Sequence, residues 1–166
     1  MGAVSPLITK GEMEMNEQKI LIELKKEADN FMWETFGMEC TIPIKLNGRL
    51  KVAMGRFVYT KKGAKFIDIA KQLIEHNEWA KVVGVLHHEL IHYGLHEKGL
   101  PFGDADAYFQ ETCNMLNVPL WAEVKTKVPV VQCDACGKEW RTRQRVKGMV
   151  HRNCGGKIKK VRYEIL

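Results

Sequence analysis

No stretch of this chain is apolar for long enough to cross a bilayer, which excludes a helical membrane protein. It also lacks a basic segment followed by a short apolar run and a small-residue cleavage site. Residence inside the cell is therefore expected, in the cytoplasm or on the nucleoid. Cysteine is scarce, at five in 166 residues, and three of the five belong to one metal-ligand pattern. That usage excludes a disulfide framework and fits a reducing compartment. No repeat at a fixed period is visible, so a solenoid or propeller is also excluded. Acidic residues are missing from one region in particular. Residues 125–166 hold 12 Lys+Arg against 3 Asp+Glu, whereas residues 1–124 hold 14 against 17. The basic character of the chain belongs to its C-terminal quarter.

Against these absences stands His88-Glu89-Leu90-Ile91-His92. Histidines at i and i+4 share one helix face, close enough to grip a single zinc ion. A glutamate after the first histidine is placed to accept a proton from water at that ion, as the general base of a metalloprotease does. The flanking residues argue for a helix. Val82, Val83, Val85, Leu86, Leu90, Ile91 and Leu95 are apolar at helical spacing, with Gly99 and Pro101 as the stop. On so apolar a helix an unpartnered His-Glu-His group would be expensive to desolvate, which favours metal over coincidence.

A catalytic zinc takes three protein ligands and keeps one position open. His96 cannot be the third, because the helix rises about 12 Å from His88 to His96; it is expected at the rim of the cleft. His87 points about 100° away from His88 and is expected to be structural or solvent-facing. Lys98 occupies the position where a metzincin carries its third histidine, so that class is excluded. Past a loop at residues 99–103, the available donors are Asp104, Asp106, Glu111 and Cys113, on a helix expected from Asp104 to Leu116. Tyr93 and His96 are candidates to stabilise an oxyanion. Cys40 and Cys113 are expected to be buried thiols.

A second constellation follows: Cys133-Asp134-Ala135-Cys136-Gly137 and His151-Arg152-Asn153-Cys154-Gly155-Gly156. Cys-x-x-Cys-Gly is the knuckle of a zinc ribbon, and His151 replaces the first cysteine of the second knuckle. Cys133, Cys136, His151 and Cys154 would form a closed Cys3His structural site. Between the knuckles, Arg141, Arg143, Arg145 and Lys147 alternate along the chain beside Trp140. On a strand this spacing lines the cations along one face, suited to phosphates, with the aromatic free to stack on a base. Lys157, Lys159, Lys160 and Arg162 add to the charge, and DNA is the expected partner.

The remaining elements are read from periodicity. Residues 1–15 are expected to be flexible. Asn16 to Phe36 forms a helix with Ile20, Leu21, Leu24, Ala28, Phe31 and Met32 on the core face. Strands are expected at Thr41–Leu46, Lys51–Tyr59 and Lys65–Ile69, and a helix at Ala70–Trp79. The domain division is then a catalytic unit at residues 16–124 and a basic ribbon at 125–166.

Four stretches of the first unit resemble the SprT-like metalloproteases, whose eukaryotic relatives include Spartan. Asn47-Gly48-Arg49-Leu50 through Gly55-Arg56 is similar to that family's strand with a Gly-Arg turn, and Phe66-Ile67-Asp68-Ile69 to its apolar strand. His88 to Tyr93 matches the active helix, and Phe109-Gln110 follows the third ligand. In that register the family's third histidine falls on Asp104, a departure that zinc chemistry permits, with Asp106 the rival. The ribbon is similar to the family's own, again with one substitution. The resemblance implies an α+β, zincin-like (gluzincin-type) core with a small antiparallel sheet, one catalytic and one structural zinc, and cleavage of proteins bound or crosslinked to DNA. A decayed catalytic half serving only nucleic-acid binding and a zinc hydrolase of another substrate are the competing readings.

Overall fold

The computed structural model describes the backbone of residues 10–166 and side chains from Asn16 onward. The expected flexibility of the N-terminus falls outside the described residues for 1–9. From Lys10 the chain is already helical, so the first helix begins six residues before the expected Asn16. Helix α1 (Lys10–Phe36) buries Leu24, Ala28 and Met32, one residue per turn on one face. It ends at Gly37, whose φ of 65° lets Met38 N–H reach back to Met32 and Gly37 N–H to Trp33. Only glycine enters that left-handed region without strain.

Three strands follow: β1 (Ile44–Asn47), β2 (Gly55–Thr60) and β3 (Gly63–Ala70), in the order β1-β3-β2. The sheet is mixed, not antiparallel as expected. The tight turn at Lys61-Lys62 forces β2 against β3 in opposite directions, with Phe57 opposite Ile67. Nothing so short joins β1 to β3, so β1 lies parallel to it, with Ile44 beside Ile67. The expected strand over Lys51–Tyr59 begins only at Gly55, and residues 51–54 are irregular.

Helix α2 (Lys71–His76) is shorter than the expected Ala70–Trp79. Asn77 is extended and its side chain bonds Leu73 O at 3.1 Å and Lys125 O at 3.0 Å, which breaks the helix. Helix α3 (Trp79–Glu97) then crosses the sheet. It packs Val82, Leu86, Leu90 and Tyr93 on Leu24, Met32, Ile67 and Ile69, each fully or almost fully buried. At roughly 1.5–3 kcal/mol per buried aliphatic side chain, that face alone fixes the helix and its histidines. Helix α4 (Ala107–Met115) docks Phe109 and Cys113 on Ile91 and Leu95.

The C-terminal sheet has the order β5-β4-β6, from β4 (Lys127–Cys133), β5 (Glu139–Arg141) and β6 (Ile158–Ile165). Side chains of the α2 region join it to the rest, among them Glu75, which accepts from Lys127 Nζ at 3.1 Å. Gln72 accepts from Lys127 N–H at 2.9 Å while donating to Leu50 O, and Asn77 Oδ1 accepts from Lys125 N–H at 2.7 Å. Among the described residues no helix is long and apolar enough to cross a membrane.

Candidate metal centre

His88 and His92 project from one face of α3, and the turn between α3 and α4 brings Asp104 to them. His88 Nε2 to His92 Nε2, His88 Nε2 to Asp104 Oδ1 and His92 Nε2 to Asp104 Oδ1 are each 3.2 Å. Donors about 2.0–2.1 Å from a tetrahedral ion stand roughly 3.3 Å apart, so this triangle has the size of three corners of a zinc site. The tautomers suit that use. His92 Nδ1–H donates to Phe102 O at 2.5 Å and His88 Nδ1–H to Pro119 O at 3.2 Å. Both Nε2 lone pairs are thereby left facing the triangle's centre. Burial pushes the His92 pKa down, which favours the neutral imidazole that a ligand must be. Phe109 stacks on His92 with ring centroids 4.0 Å apart and fixes the ring plane.

Asp106 does not reach this cluster. Its Oδ2 accepts the Gly103 N–H at 2.7 Å and stands at the start of α4, so it shapes the turn that presents Asp104. Glu111 and Cys113 lie further on in α4; Cys113 is buried in the core, and neither belongs to the donor cluster.

Glu89 is buried beside the triangle, and its Oε2 accepts the Phe57 N–H at 2.7 Å. Burial raises its pKa to about 7, opposed by that N–H and reinforced by the Asp104 charge. Gly55 makes room for it. A Cβ there would stand 2.7 Å from Glu89 Oε1 and 2.8 Å from Val85 Cγ1. Gly55 and the Phe57 N–H were not foreseen from sequence as partners of Glu89. The Gly-Arg pair at 55–56 was the available signal, but a pairing across 32 positions leaves no local pattern.

A cavity of about 300 Å³ opens beside the triangle, lined by Gly55, Phe57, Tyr59, Phe102 and Asp104 among others. His96 sits at its edge, its ring 5.5 Å from Phe57 and 5.2 Å from Phe102. Tyr93 is not there. It is buried in the core with its hydroxyl 3.0 Å from Thr41 Oγ1, so it cannot meet an oxyanion in this arrangement. His87 stacks on Phe31 at 4.0 Å and bonds Glu27 at 2.8 Å, a packing role.

In the C-terminal sheet, donor atoms of Cys133, Cys136, His151 and Cys154 all lie within 4.8 Å of one another. Cys133 Sγ to Cys154 Sγ is 3.4 Å and Cys136 Sγ to His151 Nδ1 is 3.3 Å. The Cys136 N–H, aided by that of Ala135 and by the neighbouring thiols, draws the Cys133 thiol down to about 6. A thiolate held by backbone donors is the form a metal takes. Three thiols and an imidazole converging this closely fit a closed zinc site.

The basic residues between the knuckles do not form the expected strand face. Strand β5 ends at Arg141, because Thr142 N–H bonds Pro129 O at 3.0 Å and proline has no N–H to return. Arg141 Nε donates to Glu164 at 2.6 Å, and Arg143 Nη2 to Thr126 Oγ1 at 2.9 Å. Arg145 and Lys147 are exposed in the following loop. Trp140 is half-buried, tilted against His151 with centroids 5.4 Å apart, and so is not the free aromatic that the sequence suggested.

Two donor clusters, one beside a buried carboxylate and one closed, sit on a mixed α+β frame, and each could hold a metal ion. The chain belongs to the SprT-like family, whose sequence model matches residues 21–130. It is similar to the protein named SprT-like of Bacillus subtilis, 31% identical over 148 residues that cover 84% of this chain and 96% of that protein. The Bacillus velezensis protein of the same name is 27% identical, over 84% of this chain and 97% of its own length. That of Bacillus anthracis is 26% identical, over 87% and 95%. No solved structure matches the chain.

Proposed function

We propose that the chain is a zinc metallopeptidase with a zincin-like, gluzincin-type catalytic part (16–124) and a basic zinc ribbon (125–166), acting on proteins bound or crosslinked to DNA. The observation that carries the reading is the 3.2 Å triangle of His88, His92 and Asp104 with Glu89 buried beside it. Zinc held there supplies Lewis acidity, acidifying water and polarising a carbonyl oxygen. Glu89 takes the proton from the attacking water and passes it to the leaving amine. A pKa about 7 suits a group that must both accept and donate near neutrality. The Phe57 N–H holds one carboxylate oxygen and so turns the other toward the cleft. Strand β2 is an edge strand lining that cleft, a place where an extended peptide can add by main-chain bonds. The ribbon's charge, 12 cations to 3 anions, supports contact with DNA.

Glu89→Gln keeps the shape of the carboxylate and removes its basicity. Peptide hydrolysis by the zinc-loaded chain is expected to fall by at least three orders of magnitude while zinc content stays at the wild-type level. Near-wild-type turnover would remove Glu89 from the mechanism.

A further inference from the structure

A second, larger cavity of about 600 Å³ opens off the other side of His88, Glu89 and Asp104. Its walls are apolar: Val52 and Met54 from the segment before β2, Val85 from α3, and Leu120 and Trp121 from the segment after α4. One charged group from the ribbon also lines it, the side chain of Arg143. Its place in the cavity wall separates Arg143 from Arg145 and Arg152, which are likewise without a carboxylate among the described residues, and its lack of such a partner separates it from the two remaining ribbon arginines. Arg141 is paired with Glu164, and Arg162 with Glu139 and Glu164. Among the described residues no carboxylate pairs with Arg143, whose one side-chain partner is the neutral Thr126 hydroxyl. That bond uses one nitrogen and aligns the guanidinium, leaving further N–H groups free to donate.

The geometry points to Arg143 as a specificity residue: the cavity takes an apolar substrate side chain, and Arg143 binds a carboxylate next to it on the peptide. This deepens the peptidase reading and rests on it. A planar guanidinium matches a carboxylate through two parallel, charge-assisted bonds. A phosphate could offer the same anion. The cavity opens off the groups proposed to cut a peptide, and Trp121 and Leu120 offer apolar surface that a peptide side chain would cover, so peptide is the occupant the site favours. The ribbon would then select substrate as well as hold the chain on DNA.

The test is equilibrium binding to the full zinc-loaded Glu89→Gln chain. The probes are short fluorescein-labelled peptides in which a single glutamate, or a glutamine in its place, is moved along a leucine–alanine background. One position is expected at which glutamate binds roughly tenfold tighter than glutamine. In the Glu89→Gln/Arg143→Gln double variant that preference disappears, with zinc content unchanged, and Arg143→Glu reverses it in favour of lysine. Equal binding of every glutamate–glutamine pair to the Glu89→Gln chain overturns the proposal. So does a preference that survives Arg143→Gln, or a loss of DNA affinity in that variant with peptide preference intact. Charge preference without cleavage by the wild-type chain sinks the peptidase reading and leaves this site standing; cleavage without charge preference does the reverse.

Discussion

Among single residues, the two aspartates of the α3–α4 turn divide the work in a way that spacing could not decide. Both lie within reach of the histidines in sequence. Asp106 is tied to the Gly103 N–H, and that bond fixes the turn that offers Asp104 to His88 and His92. Asp104→Ala is expected to lose the zinc of this cluster under mild chelation while the Cys3His cluster keeps its own. Asp104→His is expected to retain both, since imidazole is an equally good donor. Undiminished zinc in Asp104→Ala, by elemental analysis, would break the assignment. Glu89 carries a pH signature of its own. Its folded pKa of about 7 lies above the ordinary 4.5, so the native state holds the proton more tightly than the unfolded chain. The stability this gives is fully present below pH 4.5 and is lost as pH rises to 7, an effect of roughly 3 kcal/mol. In zinc-free protein, Glu89→Gln should therefore melt several degrees above wild type at pH 8 and level with it at pH 4. A constant difference in melting temperature across that range would show that burial does not govern this carboxylate.

For the elements, legibility followed the range of the interactions. Helices α1 and α3 were readable because their apolar residues repeat within the helix, and the Gly99 stop is local; its φ is 67° and Leu100 N–H returns to Leu95 O at 2.9 Å. The direction of β1 was not, because parallel pairing with β3 is decided by residues some twenty positions away. Arg141, Arg143 and Arg145 read as a strand by alternation alone, yet Pro129 on the facing strand ends the ladder after Arg141. The knuckle ligands were readable because their geometry is set by a few adjacent residues. Gly156, inside the second knuckle's tail, was not singled out, although a Cβ there would lie 2.5 Å from Cys133 Sγ and 2.9 Å from Ala135 N. Gly156→Ala must displace either a ligand or the backbone that aims it. Zinc bound to the Cys3His cluster should weaken by at least tenfold in competition with a chelator, with the His88–His92–Asp104 cluster unaffected. Unchanged zinc affinity there would mean that the knuckle yields without moving its sulfurs.

Over the whole molecule, the charge is divided between two parts that are tied together by Gln72 and Asn77. Residues 1–124 are slightly acidic and residues 125–166 strongly basic. A nucleic acid approaching this chain is therefore attracted to the ribbon and repelled by the rest. Not every ribbon cation is available to it. Arg141 and Arg162 face the ribbon's own glutamates, and Arg143 lines the cavity beside the metal triangle. Arg145, Lys147, Arg152 and Lys157 are exposed and, among the described residues, carry no carboxylate partner. Replacing these four with glutamine should weaken DNA binding uniformly across sequences, because phosphates carry no sequence information. The slope of log affinity against log salt should fall by roughly 0.9 for each phosphate that is no longer neutralised. Zinc content and peptide hydrolysis should be unchanged, since none of the four is a donor of either cluster. A full salt slope in the fourfold variant would move the nucleic-acid surface away from this loop. The ribbon's remaining link to function would then be Arg143 at the cleft, held in place by the clamp to α2.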